Sequence, residues 1–335
     1  MLSHSVDLLF SEFSPLNAPG ASVAIIKDGK PFYSKAYGMA DLETRTPATT
    51  NTNYRLASVT KQFTAMAVLM LIDSGKLSLD SRLSDVLPGA PAYLRDVKIR
   101  HLLNHTSGIV DYEDLIPESQ TVQVLDKDVL SLLRSIDSVY FPPGAKFKYS
   151  NSGYSLLALV VESISGQSFA EFLKKNIFDR LSMNHTLAYQ QGISTVDNRA
   201  YGYSHTDTGF VRTDQSVTSA VLGDGGIYSS VDDLFKWALA LDTPLLVHPS
   251  LLSEAHTPGH LSDGKSTTYG FGWFIEPYKN VPTFYHTGST KGFRNAILRL
   301  PDQHLTIIIL TNRNEGEPIE LARRIADLML LKSTP

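Results

Sequence analysis

Strand-like segments lie at both ends of this chain and helix-like segments fill the middle, a distribution that few folds accommodate. Near the start, Ala21-Ser22-Val23-Ala24-Ile25-Ile26 and Pro31-Phe32-Tyr33-Ser34-Lys35-Ala36-Tyr37-Gly38 flank Lys27-Asp28-Gly29-Lys30. Two apolar runs around Asp-Gly predict a hairpin. Near the end, residues 269–275, 283–286, 293–300 and 304–311 read as four strands, with Pro301-Asp302-Gln303 turning between the last two. Between them, apolar periodicity predicts helices over 58–74, 97–104, 126–136, 153–165, 168–179 and 230–241. Amphipathic helices are expected at 5–13 and at 317–331, the latter with Leu321, Ile325, Leu328 and Met329 on one face. Residues 39–57 and 189–220 read as irregular. A doubly wound sheet needs strands and helices in alternation throughout, and this chain lacks it. The expected fold is therefore α+β. One antiparallel sheet forms from both chain ends, flanked by the terminal helices, and a mainly helical lobe is inserted. Residues 1–57 and 216–335 are expected to form the sheet domain and residues 58–215 the helical domain, with the active site at their junction.

Composition narrows the function. The 335 residues are 42% hydrophobic and 19% charged, as in soluble globular proteins. A net charge of −4 offers no basic surface for nucleic acid or an anionic membrane. There is no cysteine, which excludes disulfides, a thiol nucleophile and thiolate metal sites. No apolar run reaches transmembrane length. The first residues lack a basic region and carry Asp7, so the expected location as written is cytoplasmic, or periplasmic or secreted if a leader has been removed.

Three short motifs carry the chemistry. Leu56-Ala57-Ser58-Val59-Thr60-Lys61-Gln62-Phe63-Thr64 opens an apolar run to Ile72 that reads as a buried helix. Ser58 is expected at its N-terminus, where free N–H groups favour negative charge. Lys61 follows one turn later on the same face. A serine hydroxyl beside a buried amine is the arrangement of a nucleophile with its base. Taken alone, S-x-x-K also describes a helix cap followed by a surface lysine. Tyr149-Ser150-Asn151 follows a Pro-Pro-Gly loop, where Tyr149 can carry a proton and Asn151 can bind both Lys61 and a substrate carbonyl. His286-Thr287-Gly288 ends a strand; Gly288 allows close backbone approach, and the Ser289 N–H can join that of Ser58 in holding an oxyanion.

Taken in order, S-x-x-K, Y-x-N and H-x-G each stand in the context their chemistry needs. The sequence resembles the serine β-lactamase and penicillin-binding-protein superfamily, and within it the class C-like branch. That branch holds class C β-lactamases, D-alanyl-D-alanine carboxypeptidases, D-aminopeptidases and esterases. His101-Leu102-Leu103-Asn104-His105-Thr106-Ser107-Gly108, Gly225-Gly226-Ile227-Tyr228-Ser229-Ser230 and Tyr269-Gly270-Phe271-Gly272-Trp273 resemble further segments of it, and the likeness runs from about residue 18 to 330. It implies a serine hydrolase that works through an acyl-enzyme. Ser58 is then the nucleophile, Lys61 and Tyr149 share the general-base role, and Asn151, His286, Thr287, Gly288 and Ser289 bind substrate. No metal or organic cofactor is implied. The implied partner is a small-molecule or peptide substrate, and the oligomeric state is not legible.

One departure bears on substrate. Class C β-lactamases carry Lys where His286 stands, while peptidase and esterase members often carry His. An unperturbed His titrates near pH 6.5, so His286 is expected to replace a fixed charge with a titratable one. Esters or D-amino-acid-type peptides and amides are the expected substrates, with weak or no β-lactamase activity. A true β-lactamase or penicillin-binding carboxypeptidase is the alternative, and a non-catalytic ligand-binding member a further one. Specificity is expected in the loops at 109–125 and 189–220. Three other patterns are set aside. Gly259 to Ser266 fits a phosphate-binding loop but follows a helix and precedes a strand. His101 and His105 have zinc-ligand spacing without the neighbouring Glu. No serine has a G-x-S-x-G context.

Overall fold

The computed structural model describes residues 2–331. Six strands form one antiparallel sheet: β1 (Ala21–Lys27), β2 (Lys30–Tyr37), β3 (Phe274–Ile275), β4 (Phe284–Thr290), β5 (Phe293–Leu300) and β6 (Leu305–Thr311). Their spatial order is β3-β4-β5-β6-β1-β2. The two chain ends meet where β1 pairs with β6, from Ala21 opposite Thr311 to Lys27 opposite Leu305. The β1–β2 hairpin turns through Asp28 and Gly29, both at positive φ (53° and 71°), as a tight two-residue turn requires.

Alternation along the strands makes two apolar layers. Val23, Ile25, Leu298, Ile307 and Ile309 face the terminal helices α1 (Leu2–Leu9) and α5 (Pro318–Leu330), packing with Val6, Ile325 and Ala326. Ala24, Ile26, Ile297, Ile308 and Leu310 face the other way. They join a core that contains α2 (Lys61–Asp73), α3 (Asn151–Ser165) and α4 (Val231–Ala240). Phe63 of α2 lies 4.3 Å from Trp237 of α4 at the heart of this layer. The fold is α+β, as the distribution of strands implied. Met1 and residues 332–335, included in the expected sheet domain, lie outside the described residues.

Some elements differ from the sequence reading. The expected strand at 269–275 joins the sheet only at Phe274 and Ile275, and Tyr269 bridges back to Phe274. Gly272 sits at φ 79°, and the Gly270 N–H donates to the Trp273 carbonyl. A Cβ on Gly272 would lie 2.9 Å from the Lys61 carbonyl, so this turn docks on the start of α2 instead of extending the sheet. The segment expected to be irregular at 39–57 holds short strands at Met39–Asp41, Thr46–Pro47 and Tyr54–Arg55. The one at 189–220 holds a hairpin, Tyr203–Thr206 with Gly209–Arg212. The helix expected at 168–179 is α-helical only over Phe169–Leu173 and continues as a π turn, Lys174–Phe178. No single helix among the described residues is long and apolar enough to cross a membrane.

Candidate active site

Ser58 does not start α2. It lies in a 3-10 turn, Ala57–Thr60, that leads into it. Between residues 52 and 69 every residue is buried except Ser58. Ala57 adopts φ 50°, a left-handed conformation that costs a residue with a Cβ about 1 kcal/mol or more. Neighbouring backbone holds the turn in that shape. Asn295 Nδ2 donates to the Arg55 carbonyl at 2.8 Å, and Leu56 N–H donates to the Ile227 carbonyl at 2.8 Å. Gly288 presses so close that a Cβ there would meet the Leu56 carbonyl at 2.0 Å. The strained turn thus projects one hydroxyl from an otherwise buried segment.

Lys61 is fully buried, and its Nζ lies 2.9 Å from Ser58 Oγ, 2.8 Å from Asn151 Oδ1 and 3.0 Å from the Asp224 carbonyl. Two of these partners are carbonyl oxygens, which only accept. As an ammonium, Lys61 donates to all three oxygens; once it gives up a proton and still donates to both carbonyls, its lone pair would turn toward Ser58 Oγ. The rings of Tyr149 and Tyr154 lie 5.0 Å and 5.6 Å from Nζ, within the range at which an aromatic face stabilises an ammonium. Tyr149 is half-buried, and its hydroxyl has no hydrogen-bond partner among the described residues. Asn151 opens α3. Its N–H donates to Asp111 Oδ2 at 2.8 Å and its Nδ2 to Glu113 Oε1 at 3.0 Å, which leaves Oδ1 for Lys61.

His286 differs from expectation. It is 1% exposed, with Nδ1 2.7 Å from the Thr287 carbonyl and Nε2 2.8 Å from the Tyr269 hydroxyl. A carbonyl only accepts, so Nδ1 carries the proton and Nε2 accepts from Tyr269. Burial, and then the charge of Lys61, push its pKa down to about 3, against a weaker opposing pull from the Thr287 carbonyl. The expected titration near pH 6.5 is therefore absent, and His286 is a neutral spacer between β4 and Tyr269. Burial likewise lowers the pKa of His101 to about 4 and of His256 to about 3, and that of His105 well below the ordinary range.

Strand β4 runs past the end of β3, so residues 286–290 have one edge unpaired, alongside the Ser58 turn. Gly288 touches that turn directly. Thr287 and Ser289 flank it and pair with Ala296 and Arg294 of β5. The structure thus joins Ser58, Lys61 and Asn151 by hydrogen bonds, places the Tyr149 ring beside them, and lays the 286–289 strand along one wall.

Several residues of this site escaped the sequence reading. Asp224 is buried behind Lys61. Its carboxylate accepts from the Tyr112 hydroxyl at 2.9 Å, and burial raises its pKa to about 7, opposed by the Lys61 charge. Asp126 accepts the N–H groups of Leu222 and Gly223, and burial raises it to about 6. Glu113 belongs to the exposed rim, but its carboxyl end is crowded against Asp111 and Asn151. That desolvation, followed by the Asp111 charge, raises its pKa. The available signal was a lone acid between glycines, Gly223-Asp224-Gly225, in an apolar stretch. The remaining patterns are accounted for locally. His101 Nδ1 accepts the Lys98 N–H at the start of its own helix, and Gly259–Ser266 is a loop closed by a His260–Ser266 bridge.

Comparison with known proteins matches this arrangement to one family. The family described as Beta-lactamase matches residues 9–330. The chain is 33% identical over 333 residues to Penicillin-binding protein 4* of Bacillus subtilis, covering 94% of this chain and 72% of that protein. It spans 60% of the length of several other relatives. Among solved structures, a penicillin binding protein from Bacillus halodurans is 30% identical with a TM-score of 0.81, covering 97% of this chain and 98% of that one. D-amino acid amidase from Ochrobactrum anthropi, at 22% identity, shares the fold with a TM-score of 0.85 over 99% of both chains. With S-x-x-K, Y-x-N and H-x-G brought side by side in this fold, the chain belongs to the Beta-lactamase family of serine hydrolases.

Proposed function

We propose that this chain hydrolyses esters or D-amino-acid-type amides and peptides through an acyl-enzyme on Ser58, and that it turns over β-lactams poorly. The observation that carries this reading is the neutral, buried His286 tied to Tyr269. β-Lactams and D-Ala-terminated peptides bring a carboxylate beside the scissile carbonyl, and a cation at this position would attract it. Here His286 on that wall is uncharged, Arg294 opposite Ser289 turns its guanidinium onto the Thr290 and Phe293 carbonyls, and Glu113 sits beside Asn151. Neutral or amine-bearing substrates suit these walls better.

Each step balances on groups of the chain. Ser58 Oγ bonds to the carbonyl carbon while its proton passes to the Lys61 lone pair. The carbonyl oxygen becomes an oxyanion held by the N–H groups of Ser58 and Ser289. Collapse expels the leaving group, which takes a proton from the free Tyr149 hydroxyl, and Lys61 returns the proton to Tyr149. Water then repeats the sequence on the ester and regenerates Ser58. Asn151 holds Lys61 on one side and binds the substrate amide on the other.

The test is steady-state turnover of a short p-nitrophenyl ester, a D-amino-acid anilide and a chromogenic cephalosporin by wild type and Ser58→Ala. The ester or anilide should lead. Fast cephalosporin turnover with little of the others would instead identify a β-lactamase, and acylation without turnover a non-catalytic binder. The pH dependence provides a separate prediction. Because the folded pKa of His286 is about 3, the imidazole is uncharged from about pH 5.5 upward, and acidifying to that point adds no positive charge. The ratio of kcat/KM for a carboxylate-bearing over a neutral substrate should stay flat between about pH 5.5 and 8. A rise on acidification with a midpoint near pH 6.5 would show that His286 does titrate and read the carboxylate.

A further inference from the structure

We propose that His105 is a positioning residue for Tyr149, clamping the main chain on both sides of it and backing its ring. The inference rests on Tyr149 being the proton carrier. His105 follows the short helix Ile99–Leu103 and has φ 58°. Its carbonyl accepts the Lys148 N–H at 3.0 Å, and its Nδ1 accepts the Ser150 N–H at 3.2 Å. One residue therefore binds both chain neighbours of Tyr149. Its ring also lies against the Tyr149 ring, with centroids 4.2 Å apart and planes tilted by 35°. On its other sides His105 meets Tyr269 at 4.6 Å and Tyr154 at 5.1 Å.

Two features argue that the ring itself matters, beyond the hydrogen bond. Accepting at Nδ1 puts the proton of the neutral imidazole on Nε2. That nitrogen is buried and has no hydrogen-bond partner among the described residues, a destabilising arrangement. Asn also tolerates positive φ and offers a side-chain acceptor without a stranded ring N–H. For holding the loop, Asn would suffice. What imidazole adds is a flat, rigid surface against Tyr149. Tyr149 needs such support because its own hydroxyl has no hydrogen-bond partner among the described residues, while its ring lies 5.0 Å from Lys61 Nζ. Its aim then depends on packing alone, and misplacement by about 1 Å can cost up to about a hundredfold in rate.

The experiment is a mutant cycle of His105→Asn and Tyr149→Phe, using an ester with a poor leaving group. Active enzyme is counted by burst titration so that unfolded molecules drop out. His105→Asn should lower kcat about tenfold while KM stays within about twofold. In the Tyr149→Phe background the same substitution should cost nothing further, because the group it positions is gone. A wild-type kcat in His105→Asn, or an equal loss in both backgrounds, would overturn the inference. Unchanged kcat in Tyr149→Phe alone would instead overturn the role of Tyr149 on which it rests. A second measurement needs no variant. Imidazole nitrogen-15 shifts of the wild type should show an unprotonated Nδ1 and a protonated Nε2 throughout about pH 5.5 to 8. A protonated Nδ1 would remove the clamp on Ser150.

Discussion

Ser58→Ala should abolish turnover, with kcat at least about ten-thousandfold lower, the scale seen when a serine nucleophile is deleted. The expectation follows from the turn that presents it. From residue 52 to 69 every residue but Ser58 is buried, and among the described residues its oxygen is the one hydroxyl bonded to Lys61. Thr60 and Thr64 lie nearby in sequence but are buried, with Thr60 accepting from the Ile227 N–H and Thr64 donating to the Gly223 carbonyl. No neighbouring hydroxyl can take over. The substitution removes one exposed oxygen and leaves the packing intact, so the folded state should survive. Mass spectrometry after incubation with a slow acylating agent should find a single adduct, on the peptide containing Ser58. An adduct on another peptide, or turnover retained by the Ala variant, would remove Ser58 from its role.

Lys61→Arg should lose at least about a hundredfold in kcat, the low end for removing a general base. The charge is conserved, so an electrostatic role alone would be largely spared. Guanidinium has no lone pair to offer at any working pH, and its planar fork cannot reproduce a three-way contact with Ser58 Oγ, Asn151 Oδ1 and the Asp224 carbonyl. The defect should appear in the acylation step, read as a slower burst in stopped-flow measurements with a p-nitrophenyl ester. Near wild-type acylation would mean that Lys61 serves as a charge, and Tyr149 would then be the sole base.

How far this could be read from sequence depends on which interactions were local. The hairpin at Asp28-Gly29 was legible because a two-residue turn dictates its own residue types. Ser58 and Lys61 were legible as neighbours because helical spacing brings positions three apart together, although the serine proved to lie in the 3-10 turn ahead of the helix. Period, however, gives the face of an element and not its partner. The glycine-rich run at 269–273 had a strand's aromatic residues, but it folds back against Lys61, a contact more than two hundred residues away in sequence. The state of His286 depended on the Tyr269 hydroxyl and on burial from both layers, neither of which a motif records. Asp224 and Glu113 carry no spacing signal at all, because each reaches the site from its own short helical turn, Leu222–Gly225 and Tyr112–Leu115.

The neutral imidazoles have a consequence for the molecule as a whole. His101, His105, His256 and His286 are uncharged in the fold because burial lowers their pKa values, yet on unfolding each regains an ordinary value near 6.5. Below that pH the unfolded chain binds protons that the folded chain refuses, so stability falls as pH falls, until the lower folded values are reached. Asp126 and Asp224 act in the opposite sense. Raised from 3.8 to about 6 and about 7, they hold protons in the fold that they release on unfolding, and Glu113 leans the same way. Four lowered imidazoles stand against three raised acids, so the unfolded chain takes up net protons in mild acid. The melting temperature should therefore drop from about pH 7 to 5, by roughly 1.4 kcal/mol of stability per pH unit for each net proton. Calorimetry in buffers of different ionisation enthalpy would count those protons directly. The burial that keeps His286 neutral also makes it one of the groups through which mild acid weakens the fold.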